Sequence, residues 1–199
     1  NDATFHIAAG EHELADAVVE LNYDEAEPVV LTFKGGYADD GSRDLENSQT
    51  AFSGNEKHGI LNITGGVDVT FDGIAFIKSK TAAEKSCALM CQGTTTGVTL
   101  LNCKFTDNEN TADVDGAALM VGIPDNPCGF FKATGCIFSD NSAYNCPALC
   151  VTESTVDMTQ CVFNYNIARS KAAAVSIGGA PSEFKECKFV DNHAWTYGT

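Results

Sequence analysis

Long apolar runs are missing: nothing in the 199 residues approaches the length of a membrane span, so no membrane span is expected. Positive charge is scarce, with 12 Lys and Arg against 27 Asp and Glu, for a formal net charge of −15. Such a surface repels nucleic-acid phosphate and anionic lipid, which removes both from the expected partners. It offers carboxylates for weak Ca2+ binding at most, and no other cofactor is expected. No C-x-x-C pair occurs, so the usual zinc frameworks are absent. A secretory leader is not visible either, yet residue 1 is Asn rather than Met, as in a processed or trimmed chain.

What the chain does have is a repeat. One phrase, C-x-F-x-x-N, recurs as Cys103-Lys104-Phe105-Thr106-Asp107-Asn108, Cys136 to Asn141, Cys161 to Asn166 and Cys187 to Asn192. Its cysteines lie 33, 25 and 26 residues apart. A degenerate copy, Ile74-Ala75-Phe76-Ile77-Lys78-Ser79, starts 29 residues before Cys103. A fixed period of this length is the mark of a solenoid.

Before each phrase the apolar residues alternate, as in Val98, Leu100, Cys103, Phe105 and in Val156, Met158, Cys161, Phe163. Period two describes a strand with one buried face, and the one-residue slip before each cysteine describes a bend or bulge. A second strand follows each Phe and places Leu89, Leu119, Leu149 and Val175 in one column, with Cys91, Val121, Val151 and Ile177 in the next. Short strands with no helical period inside the repeats predict an all-β, right-handed parallel β-helix of roughly six to seven coils. Stacking neighbours about 4.8 Å apart lays like side chains over like. A Greek-key sandwich is the competing fold, but it needs frequent hairpin turns and forms no side-chain columns. On the solenoid reading Phe76, Phe105, Phe138, Phe163 and Phe189 form one ladder. Asn108, Asn141, Asn166 and Asn192 form another at a turn, where Asn tolerates unusual backbone geometry and bonds the coils above and below.

Upstream, Leu14, Ala17, Val18 and Leu21 fall at helical spacing within Glu11 to Asn22, which predicts a short amphipathic helix capping the first coil. The expected organisation is a cap over 1–28 (a strand plus this helix) and a β-helix over 29–199. Nothing resembling a cap follows the fourth C-x-F-x-x-N, so the chain is expected to continue, or to meet a protein partner or a second copy there. Trp195 and Tyr197 belong to that candidate contact surface. The inserted loop Gly122 to Gly129, with Pro124, Pro127 and the neighbouring Phe130, is a further candidate contact surface, as are the loops Lys78 to Ser86 and Asp107 to Gly116 to a lesser degree, since solenoid insertions collect on one face and often carry function. Phe131 aligns with Val98 and is expected in the core.

Nine cysteines, an odd number, leave at least one thiol unpaired. Redox or metal chemistry is one reading; stabilisation by some disulfides together with core thiols is the other and the better supported. Cys87, Cys91, Cys128, Cys146 and Cys150 are the candidate bridge formers, with Cys128 and Cys146 foremost. The stacked motif cysteines point the same way from parallel strands and are poorly placed to pair. Disulfides favour export. Asn62-Ile63-Thr64 is a lone glycosylation sequon, which puts Asn62 among the candidate sites.

The F-x-x-N copies ending at Asn108, Asn141, Asn166 and Asn192 resemble a repeat motif of the polymorphic outer membrane protein (Pmp-like) passenger domains, within the broader right-handed parallel β-helix proteins of bacterial surfaces. That group's second motif, G-G-A plus an aliphatic, is present only in weakened form at Gly116-Ala117-Ala118-Leu119. Phe33-Lys34-Gly35-Gly36-Tyr37 with Thr50-Ala51-Phe52-Ser53-Gly54-Asn55 is similar to the N-terminal segment of many secreted β-helix proteins. The resemblance implies an extracellular or cell-surface, non-enzymatic, adhesin-like module, able to assemble end to end into a stalk or filament.

Parallel β-helices also host polysaccharide lyases and glycoside hydrolases, so a carbohydrate-active or glycan-binding chain is the alternative. That chemistry needs carboxylates gathered with calcium or as acid and base, with a basic residue in a groove. Asp39-Asp40 and Lys57-His58-Gly59 are similar to polygalacturonase fragments, but the N-x-D and R-x-K companions are missing. Asp113 and Asp115 read as solvated loop residues. Ice binding needs a Thr face that recurs from coil to coil; Thr94-Thr95-Thr96 and Thr99 do not recur.

Overall fold

The chain bends sharply on both sides of each Phe strand, and these bends set the architecture. The residue before each C-x-F phrase, or its equivalent, has a left-handed backbone: Gly73 (φ 70°), Asn102 (52°), Gly135 (64°), Gln160 (55°) and Glu186 (53°). The residue before each Asn position does too: Lys78 (53°), Asp107 (56°), Asp140 (57°), Tyr165 (56°) and Asp191 (51°). A single left-handed residue redirects an extended chain, so each coil becomes short straight segments joined at corners. The slip in the apolar alternation is this corner. Left-handed geometry disfavours a Cβ by roughly 1–2 kcal/mol. Gly135→Ala, whose new methyl would also lie 3.0 Å from Asn102 Oδ1, is therefore expected to lower the unfolding free energy by about 1 kcal/mol, read as a shifted urea midpoint at constant slope.

The computed structural model describes residues 2–14, 17–23, 29–82 and 87–195. They form an all-β parallel solenoid of about six turns, with no helix among the described residues. A turn has four faces. In the third rung these are Val67–Asp72, Ile74–Ile77, Lys80–Thr81 and the start of Leu89–Leu101, which passes the left-handed Gly93 and becomes the first face of the fourth rung. The second face is a 7-stranded sheet, the third a 5-stranded one, and Leu89–Leu101 joins the first and fourth faces into a 12-stranded sheet.

Register places like over like. Leu61, Leu89, Leu119, Leu149 and Val175 align, as do Ile63, Cys91, Val121, Val151 and Ile177. On the first face Val69, Val98, Phe131 and Val156 align, and Phe131 is buried. Apart from the exposed Ile177 near the last rung, these columns make one continuous apolar core along the axis.

The N-terminal segment corrects the expected helix. Gly10–Glu13 and Val19–Asn22 are strands, separated by residues that include the undescribed 15 and 16. With Ala3–Ala8 they form a first rung, paired in parallel to Val29–Tyr37, Thr50–Ser53 and Leu61–Thr64. Val19 lies beside Leu61 and Leu21 beside Ile63, facing the core, while Glu20 and Asn22 face outward. Over so few residues the two patterns are hard to separate: Leu21 belongs to both, while the strand turns Val19 inward where the helical spacing uses Val18. The backbone pairing on offer from the second rung decides between them.

Candidate functional site

The amide ladder sits at the corner between the second and third faces. Asn141 Oδ1 accepts from the backbone N–H of Asn108 (3.2 Å) and from Asn108 Nδ2 (3.0 Å). Asn141 Nδ2 in turn donates to Asn166 Oδ1 (2.9 Å) and to the Phe105 carbonyl (3.0 Å). Asn166 and Asn192 repeat this pattern one rung further on. Asn108, Asn141 and Asn166 are fully buried. Ser79 holds the position in the third rung; its N–H donates to Asn108 Oδ1, while its buried hydroxyl has no partner. Next to the amides the rings of Phe76, Phe105, Phe138, Phe163 and Phe189 stack at 4.8–4.9 Å, within 8° of parallel. Phe52 continues the column edge-on to Phe76.

All nine cysteines are free thiols, which corrects the bridges expected among Cys87, Cys91, Cys128, Cys146 and Cys150. The fold uses thiols as small apolar groups with a weak donor. Cys128 Sγ points to the Thr96 and Phe130 carbonyls, and burial pushes its thiol up to about 12. Cys91 faces the core and is also pushed up by burial. Cys103, Cys136, Cys161 and Cys187 each direct Sγ at the carbonyl two residues earlier, beside the left-handed corner. Their column fills the corner.

The expected contact residues do not share one surface. Pro124 lies within the Ile123–Asn126 turn after the fourth face and Pro127 follows it, while Phe130 lies on the first face with its ring over Gly97. Trp195 is exposed beyond the third-face strand His193–Ala194, and Tyr197 lies outside the described residues. Asn62 is half-buried in mid-strand, flanked by Glu20 and Met90, and its Nδ2 donates to Glu20 (3.1 Å). Glycosylation takes place on surface loops, and this amide is held within a sheet.

The polar surface that is gathered runs along the same corner as the amides. One cavity of about 310 Å³ is lined by Glu56, Lys78, Lys80, Asp107, Glu109 and Asp140, among others. A second, of about 410 Å³, shares Glu56 and Lys80 and adds Lys57 and His58. Together they make a groove along the axis, crossing the second to fifth rungs. Its lysines are engaged in pairs: Lys78 with Glu11 (2.9 Å), Lys80 with Glu109 (2.8 Å) and, more loosely, Lys57 with Glu13 (3.8 Å). The Lys78 hydrogen bond holds Glu11 below its ordinary carboxylate value. Among the described residues no three carboxylates come within 4.8 Å of one another. Asp40 instead closes a local turn, accepting from the Ser42 N–H and hydroxyl. The sequence singles out Lys57-His58 and, separately, the loops Lys78 to Ser86 and Asp107 to Gly116, but does not join them, because these residues meet only through rung stacking.

The one trio of metal-ligating groups among the described residues lies elsewhere, at Asp115, Cys146 and Cys150, on the outer side of the fourth face. A hydrogen bond with Cys150 and burial push the Cys146 thiol up. Burial does the same to Cys87 nearby. Compared with protein-family models, with curated proteins and with solved structures, the chain matches none.

Proposed function

We propose that this chain is a non-enzymatic, adhesin-like structural module that works outside the cell and grows by end-on stacking of copies. The observation that carries this reading is the in-register stacking of rung on rung, in which each parallel edge templates the next. At one end of the described solenoid Phe189, 52 % exposed, tops the ring column; at the other Phe5, 44 % exposed, tops the stack of Phe5, Phe33 and Phe71. Among the described residues each edge offers parallel strand backbone and an exposed aromatic ring, Phe189 on the second face and Phe5 on the first. Resemblance of the F-x-x-N repeats to Pmp-like passengers supports the extracellular placement; the free thiols add nothing to it.

A second reading, glycan binding, is favoured by the axial groove, whose length and mixed hydroxyl, amide and charged lining suit an extended polar chain. Sedimentation velocity over a concentration series and a glycan array address the two readings. End-on stacking is expected to give particles that lengthen with concentration and are abolished by Phe189→Glu. A protein that remains monomeric at every concentration contradicts it. If glycans bind, and Lys80→Ala with Asp140→Asn removes that binding without changing assembly, the groove reading replaces the structural one.

A further inference from the structure

On the outer side of the fourth face, Asn62, Met90, Met120, Cys150 and Ser176 form an outward-pointing column. Outward residues of a solenoid wall normally meet water, yet Met120 and Cys150 are each only 6 % exposed. Two loop segments cover them. Val114 and Asp115 come from one side and Ile123 and Pro124 from the other, enclosing a cavity of about 260 Å³ over Met120, Cys150 and Thr152. Cys87 and Cys146 are buried beside these residues and Met90 packs against them, which makes a sulfur-rich cluster separate from the main core.

The cluster is held in place by more than apolar contact. A carboxylate oxygen of Asp115 and the Sγ atoms of Cys146 and Cys150 all lie within 4.8 Å of one another. Asn145 Nδ2 donates to Asp115 Oδ1 at 2.8 Å, and the Gly116 N–H donates to the Asn145 carbonyl at 3.1 Å, pinning the loop to the chain next to Cys146. A methyl at Gly116 would lie 2.7 Å from Met120 Cγ and 2.9 Å from Sδ, so the loop closes over Met120 only with glycine there. An oriented carboxylate is the arrangement that supports a metal ligand. In a tetrahedral zinc site, bond lengths of about 2.3 Å to sulfur and 2.0 Å to oxygen set ligand atoms about 3.5–4 Å apart. The trio reaches that spacing by a small inward movement of side chains. Sulfur ligands favour a thiophilic ion, and the carboxylate favours Zn(II) over Cu(I).

We propose that Asp115, Cys146 and Cys150 bind one Zn(II) ion, with its fourth position open to the adjoining cavity. The ion would tie the covering loop to the wall of the solenoid.

The test uses the full chain, reduced and freed of metal, titrated with Co(II) and then Zn(II). One equivalent of Co(II) is expected to give a thiolate-to-cobalt charge-transfer band that Zn(II) abolishes. Cys146→Ser and Cys150→Ser are expected to lose the band, and Asp115→Asn to weaken Zn(II) binding at least about tenfold. Asp115 is exposed, so its variant keeps the test meaningful even if a cysteine variant fails to fold. Cys136→Ser, in the core column, is expected to leave binding unchanged. The proposal is overturned by absence of the band, by its survival in Cys146→Ser, or by Cu(I) binding that excludes Zn(II) and depends on Met120. A Cys146–Cys150 disulfide in protein whose reduced form binds no Zn(II) also overturns it. None of these readouts depends on assembly or on glycans.

Discussion

Replacing Asn141 with alanine is expected to lower the unfolding free energy by about 3–5 kcal/mol, one of the two largest single-residue effects in the chain. The loss exceeds that of an ordinary buried hydrogen bond because this side chain closes four. Its Oδ1 receives the Asn108 backbone N–H and Nδ2; its Nδ2 supplies the Phe105 carbonyl and Asn166 Oδ1. Alanine leaves those groups buried on two rungs with no water to replace the partner, and each orphan costs about 1–3 kcal/mol before relaxation. Asp at this position is expected to be worse than Ala, since a buried carboxylate accepts from Asn108 but cannot donate to Phe105. Chemical denaturation of Asn141→Ala and Asn141→Asp against the parent chain measures both. A change below about 1 kcal/mol for Asn141→Ala would show that the ladder is not closed in solution.

Phe138→Ala is expected to cost about 4–5 kcal/mol, at the upper end for a buried ring. The ring is fully buried between Phe105 and Phe163, 4.9 and 4.8 Å away and nearly parallel to both. Strand hydrogen bonds on either side fix the spacing of the rungs, so the neighbours cannot close on the gap and a cavity remains. Phe189 belongs to the same column but is half exposed at an edge, and Phe189→Ala is expected to cost about 1 kcal/mol in the isolated chain. The contrast between the two variants is the informative quantity, because the same chemistry is removed from the middle and from the edge of one stack.

The parts of this fold that were legible in the sequence are those where one residue type returns at one period. Phe marks a column from the third rung onward, Asn from the fourth and Leu from the second to the fifth, and the left-handed corner shows as the slip before each cysteine. The first rung was only partly legible: Thr4 and Phe5 align with Thr32 and Phe33 on the first face, but its second and fourth faces lack the later Phe and Leu. His12 stands where Phe52 and Phe76 stand, and Leu14, Ala17, Val18 and Leu21 imitate a helix. The cysteines misled in a different way. Their number suggested oxidised bridges, whereas parallel stacking gives small buried groups a use that needs no pairing. Both candidate sites depend on positions that alternation assigns to solvent. The groove gathers corner residues from four rungs, and the sulfur cluster arises because loops fold back over Met120 and Cys150. Cys146 and Cys150, four apart, were its one local signal.

The account rests on rungs stacking in register, and the side-chain amides report that directly. Through-space NMR contacts among the Asn Nδ2 protons are predicted to run from Asn108 to Asn141, from Asn141 to Asn166 and from Asn166 to Asn192, with slow solvent exchange for the buried amides and no direct contact between Asn108 and Asn166. Rapidly exchanging amides that show no contacts between these rungs would contradict the ladder, and with it the solenoid built upon it.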